Sequence, residues 1–250
     1  MEQTTDTYIG KRFEFKYVLS HKEAAELQNY IEKVGLLVDA NSGAGGYVVN
    51  SMYFDTPFLD DYRDKDGSLL VRKKMRARMY NDSWFAPHEA VWLEIKAKRD
   101  FNINKSRIKV SGSSWESFMR ANSAIHLLDN NVSAEDREKL RKYVYLYDKG
   151  RYEPNVIVKY KRAAYLDRFT DKIRVTFDRD IESCFAKEGE EQFMTPIFPD
   201  KTIMEVKFID KLPWWFAKAT DIFDIRRQDF SKYNHSVATL RDFYRIPVSR

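Results

Sequence analysis

The stretch from residue 69 to residue 80 places a cation at nearly every second position, with the sequence LLVRKKMRARMY. In an extended strand successive side chains point to opposite faces, so one face carries Arg72, Lys74, Arg76, Arg78 and Tyr80. The other face carries Val71, Met75, Ala77 and Met79, interrupted by Lys73. Cations in line without interleaved acids repel one another unless water screens them or an anion binds them. The pattern therefore indicates either a solvated sheet face or a face that binds a polyanion.

Four carboxylates lie on the cation-bearing faces of candidate strands, each within two or four residues of a lysine or arginine: Glu14, Glu94, Asp178 and Glu205. Carboxylates among phosphate-binding cations can hold Mg²⁺ or Mn²⁺, hard ions that also bridge to phosphate oxygens. The competing interpretation is ordinary salt bridging between strands. For Glu14 and Glu94 both interpretations stay open.

The elements that would position these residues are strands and amphipathic helices. About eight strands alternate charged and apolar residues, at 12–19, 47–54, 72–80, 91–98, 105–110, 156–165, 172–178 and 203–208. Five helices are predicted: one after Ser20 with Glu23 as its capping box, 114–128, 134–147, 213–223, and one capped by Ser231. The glycine-rich loop 41–46 is not a phosphate loop, because no Gly-Lys-Ser/Thr follows and a strand comes next.

The composition describes a mildly basic globular protein of 250 residues with a net charge of +5. The single cysteine, Cys184, excludes an internal disulfide and a multi-cysteine metal site, and the four histidines show no ligand-like spacing. The N-terminus lacks the layout of a secretion signal, and no apolar run approaches the about 18 residues that span a bilayer. We expect one soluble, cytoplasmic domain over 1–250, with its core at about 11–245.

Two arrangements satisfy strands that are charged on one face and apolar on the other. Either the apolar faces form the core and the charged faces meet water, or the sheet closes into a barrel with a charged interior. An eight-stranded barrel encloses room for side chains or one slender ligand, and many lysines and arginines there require water and a polyanion. Because the five helices need an apolar wall to pack on, we predict an α+β fold: an eight-stranded antiparallel barrel with a charged lumen and helices outside.

An ordered set of motifs adds a resemblance to a known family. Its members here are Glu14-Phe-Lys16, Arg76-Ala-Arg78-Met-Tyr80, Leu93-Glu-Ile-Lys96, Lys105-Ser-Arg107, Tyr160-Lys-Arg-Ala-Ala-Tyr165, Ile173-Arg-Val-Thr-Phe-Asp178, Met204-Glu-Val-Lys207 and Phe230-Ser-Lys-Tyr233. From about residue 11 to 245 the chain resembles the polyphosphate-polymerase domain of the vacuolar transporter chaperone (VTC) complex. That domain belongs to the triphosphate tunnel metalloenzymes, which implies an eight-stranded antiparallel barrel with a charged lumen.

The resemblance implies a phosphotransferase that moves the terminal phosphoryl group of ATP to a growing inorganic polyphosphate. It implies that phosphates are bound by Lys16, Arg76, Arg78, Lys96, Lys105, Arg162, Arg174 and Lys207, with Lys232 reaching them from the C-terminal helix. Of these, the candidate catalytic residues are Arg76, Arg78, Lys96, Arg162, Arg174 and Lys232. Glu205 would hold Mn²⁺ or Mg²⁺, with Glu14, Glu94 and Asp178 as additional candidates. The alternation of the strands adds phosphate-binding candidates at Arg72, Lys74, Tyr80, Lys98, Arg107 and Lys161.

Two other functions remain as alternatives. A triphosphatase on the same scaffold is disfavoured because Glu14-Phe-Lys16 has one glutamate before its lysine, where hydrolytic tunnel enzymes resembling it carry a fuller acidic motif. A non-catalytic binder of polyphosphate or nucleotides would use the same cations without turnover. Nucleic acid is not expected as a partner, since a closed tunnel admits no duplex. We expect no regulatory domain and no membrane segment, so export of any polymer would need a separate membrane partner.

Overall fold

The computed structural model describes residues 12–43, 45–64, 71–80, 84, 90–99, 102–128, 132–168 and 172–245. Within these ranges the chain forms ten strands and six α-helices, which confirms the α+β class. Each of the eight predicted strands has a counterpart. The predicted turn at Asp66-Gly67 lies outside the described residues.

The strands are β1 Arg12–Ser20, β2 Leu36–Val38, β3 Tyr47–Asp55, β4 Val71–Met79, β5 Ala90–Arg99, β6 Asn102–Ser111, β7 Glu153–Asp167, β8 Ile173–Phe185, β9 Thr195–Pro196 and β10 Lys201–Ile209. Seven of the eight predicted strands are longer than their alternation alone predicts, and β4 is displaced by one residue. β2 and β9 were not predicted, because two or three residues are too few to show a period of two.

The helices are α1 His21–Lys33, α2 Asp60–Arg63, α3 Gly112–Ala121, α4 Ala134–Gly150, α5 Trp214–Ile222 and α6 Lys232–Phe243, with 3₁₀ turns at Ala124–Leu127 and Glu190–Phe193. Helices α1 and α6 begin directly after their predicted caps, Ser20 and Ser231. Ser20 and Glu23 form the predicted capping box. The helix predicted over residues 114–128 instead ends at Ala121, because Asn122 adopts the left-handed conformation with φ 46°.

The strand order is β1-β10-β8-β7-β3-β4-β5-β6, with β2 beside β7 and β9 beside β8. β1 pairs with β10 and β6 pairs with β5, both antiparallel, and no pairing joins β1 to β6 among the described residues. The predicted closure into an eight-stranded barrel was therefore wrong for this structure. Alternation fixes which face a side chain takes, but closure depends on strand tilt and stagger, which alternation does not encode.

The chain divides into two compact units, and the expectation of one domain stays a prediction. The first unit comprises residues 1–47, 161–180 and 198–230, and the second comprises 48–160, 181–197 and 231–250. In the first unit the apolar faces of β1, β8 and β10 pack against α1 and α5, around Leu27, Phe177, Met204 and Phe216. In the second unit β3–β6 pack against α3 and α4, around Met75, Leu93, Trp115 and Tyr143.

One helix does not follow the predicted packing on the apolar face. Tyr233 of α6 stacks on Tyr53, whose neighbours Met52 and Phe54 are the β3 residues that enter the apolar core. Lys74 of β4 also donates to Ser231 and Asn234 at the start of α6. The first turn of α6 therefore lies on the polar face of the second unit. Across the described residues, none of the helices is both long and apolar enough to span a bilayer.

Candidate functional site

The polar face of β4, β5 and β6 carries most of the predicted phosphate-binding residues. The register places Lys74, Lys96 and Lys105 in one row, Arg76, Glu94 and Arg107 in the next, and Arg78, Trp92 and Lys109 in a third. Arg72 and Lys98 are opposite each other in register, and their side chains lie outside the described residues. In the described part of these strands, seven cations thus share this face with one carboxylate, Glu94.

Glu94 is the acid around which the second unit gathers its cations. Its side chain is 1% exposed and lies 2.6 Å from Arg76 Nε, 3.4 Å from Lys105 Nζ and 3.4 Å from Arg107 Nε. Burial opposes the charge of Glu94, but the surrounding Arg76, Arg78 and Lys105 outweigh it and lower its pKa to about 2. Glu94 is therefore an anion that holds three cations in place, which is the salt-bridge interpretation that the sequence left open.

Aromatic rings and hydroxyl groups also contact three arginines of this face and restrict their orientation. Arg76 Nη1 donates to the Tyr53 hydroxyl at 3.2 Å, and Arg78, which is buried, lies 3.4 Å from Ser51 Oγ. Arg107 stacks 3.9 Å from the centroid of Trp92 and donates to the exposed Tyr80 hydroxyl at 3.1 Å. These contacts hold planar guanidinium groups in fixed directions, as bidentate binding of phosphate oxygens requires.

The start of α6 contacts Lys74 of β4 and carries Lys232. Lys74 Nζ donates to Ser231 Oγ at 3.1 Å, and lies 4.9 Å from the Tyr233 ring centroid. Lys232 Nζ lies 4.8 Å from the ring centroid of Tyr160. The sequence-based placement of Lys232 near the phosphate-binding cations stays a prediction, supported by the contact between α6 and Lys74.

The first unit pairs each of its site cations with an acid. On β1 and β10, Lys16 lies 3.2 Å from Glu14 and 3.9 Å from Glu205, while Lys207 lies 2.6 Å from Glu205 and 3.9 Å from Glu14. The register explains this alternation, because Glu14 is opposite Lys207 and Lys16 is opposite Glu205. Lys16 also donates to the Phe230 carbonyl at 3.1 Å.

Arg162 and Arg174 of the first unit each bind a buried carboxylate. Arg162 donates to both oxygens of Asp178, at 2.6 and 2.7 Å, and Asp178 is fully buried. Arg174 donates to Asp39 at 2.8 Å, and Asp39 is 5% exposed. The neighbouring Lys161, by contrast, forms an exposed ion pair with Asp180 at 3.3 Å.

The glycine-rich loop packs on the strand that carries Arg162. Ser42 Oγ accepts from the Ala164 amide at 2.9 Å, and Asp39 donates its amide to the Ala164 carbonyl at 2.8 Å. Gly46 has φ +78°, and a Cβ there would lie 2.5 Å from the Arg162 carbonyl oxygen. The glycine is therefore required by close backbone contact, and the loop serves to place Asp39 beside Arg174.

Several residues that shape the site were missed from the sequence. They are Asp39, Tyr53, Asp55, Tyr233 and Asn234. Their partners are distant in sequence, as with Asp55 and Tyr233, which are 178 positions apart. Asp55 directly follows the predicted strand 47–54, and no local period marks a residue whose role is to accept a hydrogen bond from a distant side chain. Tyr233 did stand within a family-like motif, Phe230-Ser-Lys-Tyr233, which was the available signal.

The donor set of the first unit fits a divalent cation. Glu14 and Glu205 share Lys16 and Lys207, and Thr176, opposite Glu205 in register, has a buried hydroxyl oxygen without a hydrogen-bond partner. Two carboxylates with substrate phosphates and water are a usual environment for Mg²⁺. Within the described ranges, groups of three or more histidine, cysteine or acidic side chains suited to a metal do not occur. Any such ion would therefore depend on further oxygen ligands.

Fold and site together define an α+β protein whose large antiparallel sheet presents dense cations on one face. A model of one family, the VTC domain, matches residues 11–241. The chain thus belongs to the VTC domain family, which confirms the family predicted from its motifs. No curated protein matches the sequence significantly.

Among solved structures, the chain is similar to the PH1819 protein from Pyrococcus horikoshii OT3, with TM-score 0.41 and 13% identity over 92% of this chain and 99% of that one. It is also similar to the Mimivirus capping enzyme triphosphatase in its monoclinic form, with TM-score 0.35 and 9% identity over 84% and 86% of the two chains. The triclinic form of that triphosphatase gives TM-score 0.33 and 11% identity over the same shares. The assignment to the family depends on the sequence match alone.

Proposed function

We propose that this protein is a metal-dependent polyphosphate polymerase, which transfers the terminal phosphoryl group of ATP to a growing inorganic polyphosphate. The observation that carries the proposal is the polar face of β4–β6, where seven cations accompany one buried carboxylate among the side chains that the structure describes. Such an excess of positive charge is stabilised by a ligand with many closely spaced negative charges. Membership of the VTC domain family supports phosphoryl transfer as the chemistry.

The second unit would bind the phosphates. Arg76, Arg78 and Arg107 present fixed guanidinium groups, while Lys74, Lys96, Lys105 and Lys232 act as point charges. Phosphoryl transfer requires the attacking and leaving oxygens in line and the charge of the equatorial oxygens neutralised, with little covalent chemistry from the protein. These residues would supply both, by positioning the chain of phosphates and compensating its charge.

In the first unit, Glu205 and Glu14 would hold the divalent ion, with the Thr176 hydroxyl as a further oxygen. When bound, Mg²⁺ or Mn²⁺ would neutralise the negative charge of the phosphate oxygens that it contacts. We assign Glu94 and Asp178 to salt bridges instead, because arginine holds both and their side chains are only 1% and 0% exposed. The side chains of Glu14 and Glu205 are 23% and 12% exposed and are paired with lysine. Arg162 and Arg174 remain candidates for phosphate contact, held in place by Asp178 and Asp39.

The proposal is tested by incubating the purified protein with ATP and Mn²⁺ and separating the products by gel electrophoresis. We expect long-chain polyphosphate together with ADP, and little product from Glu205→Gln. A matched control is Glu138→Gln, which changes an exposed glutamate of α4 and should keep full activity. Release of inorganic phosphate without polymer would instead establish a triphosphatase. Tight binding of ATP or polyphosphate without turnover would establish a binding protein.

A further inference from the structure

The first turn of α6 is anchored to the second unit at three points. The Tyr233 hydroxyl donates to Asp55 Oδ2, and Asn234 Nδ2 donates to the Tyr62 carbonyl at 3.0 Å. Lys74 Nζ donates to Ser231 Oγ at 3.1 Å. Three anchors within four residues hold this turn in one orientation.

Asp55 is a rigid receptor for the tyrosine. It is 1% exposed and accepts hydrogen bonds from the backbone amides of Thr56, Asp61 and Tyr62, at 2.7, 2.9 and 3.0 Å. Backbone donors have little freedom to move, so the carboxylate has a fixed direction. Burial, and then the charge of Asp55, raise the pKa of Tyr233, so the hydroxyl stays protonated and donates the bond.

The anchored turn reaches two residues of the proposed site. The Tyr233 ring stacks on the Tyr53 ring with centroids 5.2 Å apart, and the Tyr53 hydroxyl accepts from Arg76 at 3.2 Å. Lys232 directly precedes Tyr233, so the orientation of the turn determines where its ammonium group can lie. Rotation of the turn would thus displace Lys232 and remove the ring that supports Tyr53.

We infer that Tyr233, docked on Asp55, is a positioning residue that holds Lys232 and Arg76 for phosphate binding. This inference rests on the proposed function, because it takes Lys232 and Arg76 as phosphate contacts. Tyr233 itself acts through these two residues. Asn234 has the same role through its bond to the Tyr62 carbonyl.

The test is a double-mutant cycle with inorganic tripolyphosphate as the probe and calorimetry as the measurement. Tyr233→Phe keeps the ring stack and removes the hydroxyl, and we expect it to weaken binding about fivefold to tenfold, since each tenfold corresponds to about 1.4 kcal/mol. In the Lys232→Ala background the same change should weaken binding less than twofold. Phe keeps the ring that supports Tyr53 and Arg76, and the lysine that the hydroxyl positions is gone. Amide hydrogen exchange should quicken in the first turn of α6 in Tyr233→Phe.

Tyr165→Phe is the matched control. Its hydroxyl also donates to a carboxylate, Glu32 at 3.0 Å, but both residues belong to the first unit. It should leave tripolyphosphate affinity unchanged. If Tyr233→Phe does not fold, Asn234→Ala takes its place in the same cycle.

The outcomes separate the inference from the proposed function. Equal losses of affinity in both backgrounds, or wild-type affinity in Tyr233→Phe, overturn the inference while phosphate binding stands. If the wild-type protein binds tripolyphosphate but makes no polymer, the proposed polymerase activity is contradicted. The double-mutant cycle can still be measured in that case, because it depends on binding alone. A wild-type protein that binds no tripolyphosphate overturns both.

Discussion

Lys96 of β5 lies between two lysines in register, Lys74 on β4 and Lys105 on β6. Like charges directly across a strand pair repel each other. We therefore predict that Lys96→Ala increases the free energy of unfolding of the ligand-free protein by about 0.5 kcal/mol, the middle of the range for such pairs. The same change should weaken tripolyphosphate binding. Urea denaturation and calorimetry measure the two effects.

The control for this prediction is Lys142→Ala, which removes an exposed lysine of α4. It should leave tripolyphosphate binding unchanged, and any effect on stability should be smaller than that of Lys96→Ala. A clear loss of stability in Lys96→Ala would show that the lysine stabilises the ligand-free sheet, against the interpretation of this face as a binding surface.

At the residue level the sequence predicted faces but not partners. Alternation placed Arg76 and Arg78 on the face that they occupy, because a period of two is a local property of a strand. It did not identify the partners of the two arginines, which are Asp178 for Arg162 and Asp39 for Arg174. Asp39 and Arg174, for example, are 135 positions apart in sequence and are brought together only by the fold. Lys73, which interrupted the apolar face, lies 5.0 Å from the Tyr152 ring centroid, a contact that likewise joins distant positions.

Two adjacent residues of β7 provide a sharp comparison of buried and exposed ion pairs. Arg162→Ala would leave the fully buried Asp178 without its two donors, and we expect a loss of about 3–5 kcal/mol in the free energy of unfolding. Lys161→Ala removes an exposed pair with Asp180 and should cost less than about 1 kcal/mol. Thermal or urea denaturation of both variants measures the difference.

The comparison has a built-in control, because both substitutions remove one cation from neighbouring positions of the same strand. Equal losses would mean that the depth of Asp178 does not govern the energy of its pair. Recovery of Arg162→Ala on adding Asp178→Ala would support the stated cause, since the uncompensated charge is then removed.

At the level of elements, prediction succeeded where the signal is local. The capping box of Ser20 and Glu23 and the cap at Ser231 depend on residues three positions apart, and the structure contains both caps. The expectation that the helices pack on the apolar face was wrong for the first turn of α6. Its stripe of apolar residues indicated a helix, but Tyr233 and Asn234 in its first turn select a polar surface through distant acceptors.

For the whole molecule, Asp61 gives a pH dependence of stability. Burial, and then the charge of Asp55, raise the pKa of Asp61 to about 7 from its ordinary 3.8. The folded state therefore binds the extra proton, and this stabilising contribution is complete below pH 3.8 and is lost as pH rises through about 7. We expect the free energy of unfolding to fall from pH 5 to pH 7, by at most about 1.4 kcal/mol per pH unit from this group.

Asp61→Asn should flatten that slope, because the titrating group is absent. Urea denaturation at several pH values between 5 and 8 measures it for both proteins. Asp221→Asn, at an exposed position of α5, should keep the wild-type slope. Identical slopes in wild type and Asp61→Asn would contradict the assignment.

The sequence predicted the α+β fold class correctly, but not whether the sheet closes into a barrel. Eight alternating strands and amphipathic helices indicate an α+β protein because burial of apolar faces selects both elements. Whether β1 pairs with β6 depends on the stagger summed over every strand pair. A single cross-strand pair, such as Glu14 with Lys207, forms equally well in an open and in a closed sheet, so it does not indicate closure. Charged alternation on β6, with Lys105, Arg107 and Lys109, is also typical of an edge strand that avoids further pairing.

The lysine row formed by Lys74, Lys96 and Lys105 has a practical consequence for handling the protein. Its repulsion makes the choice of buffer anion a determinant of the melting temperature, because an ion that binds only the native state stabilises it by mass action. Sulfate or phosphate should raise the melting point above that in chloride at equal ionic strength. Material purified in those buffers would then appear more robust than the same molecule does without them.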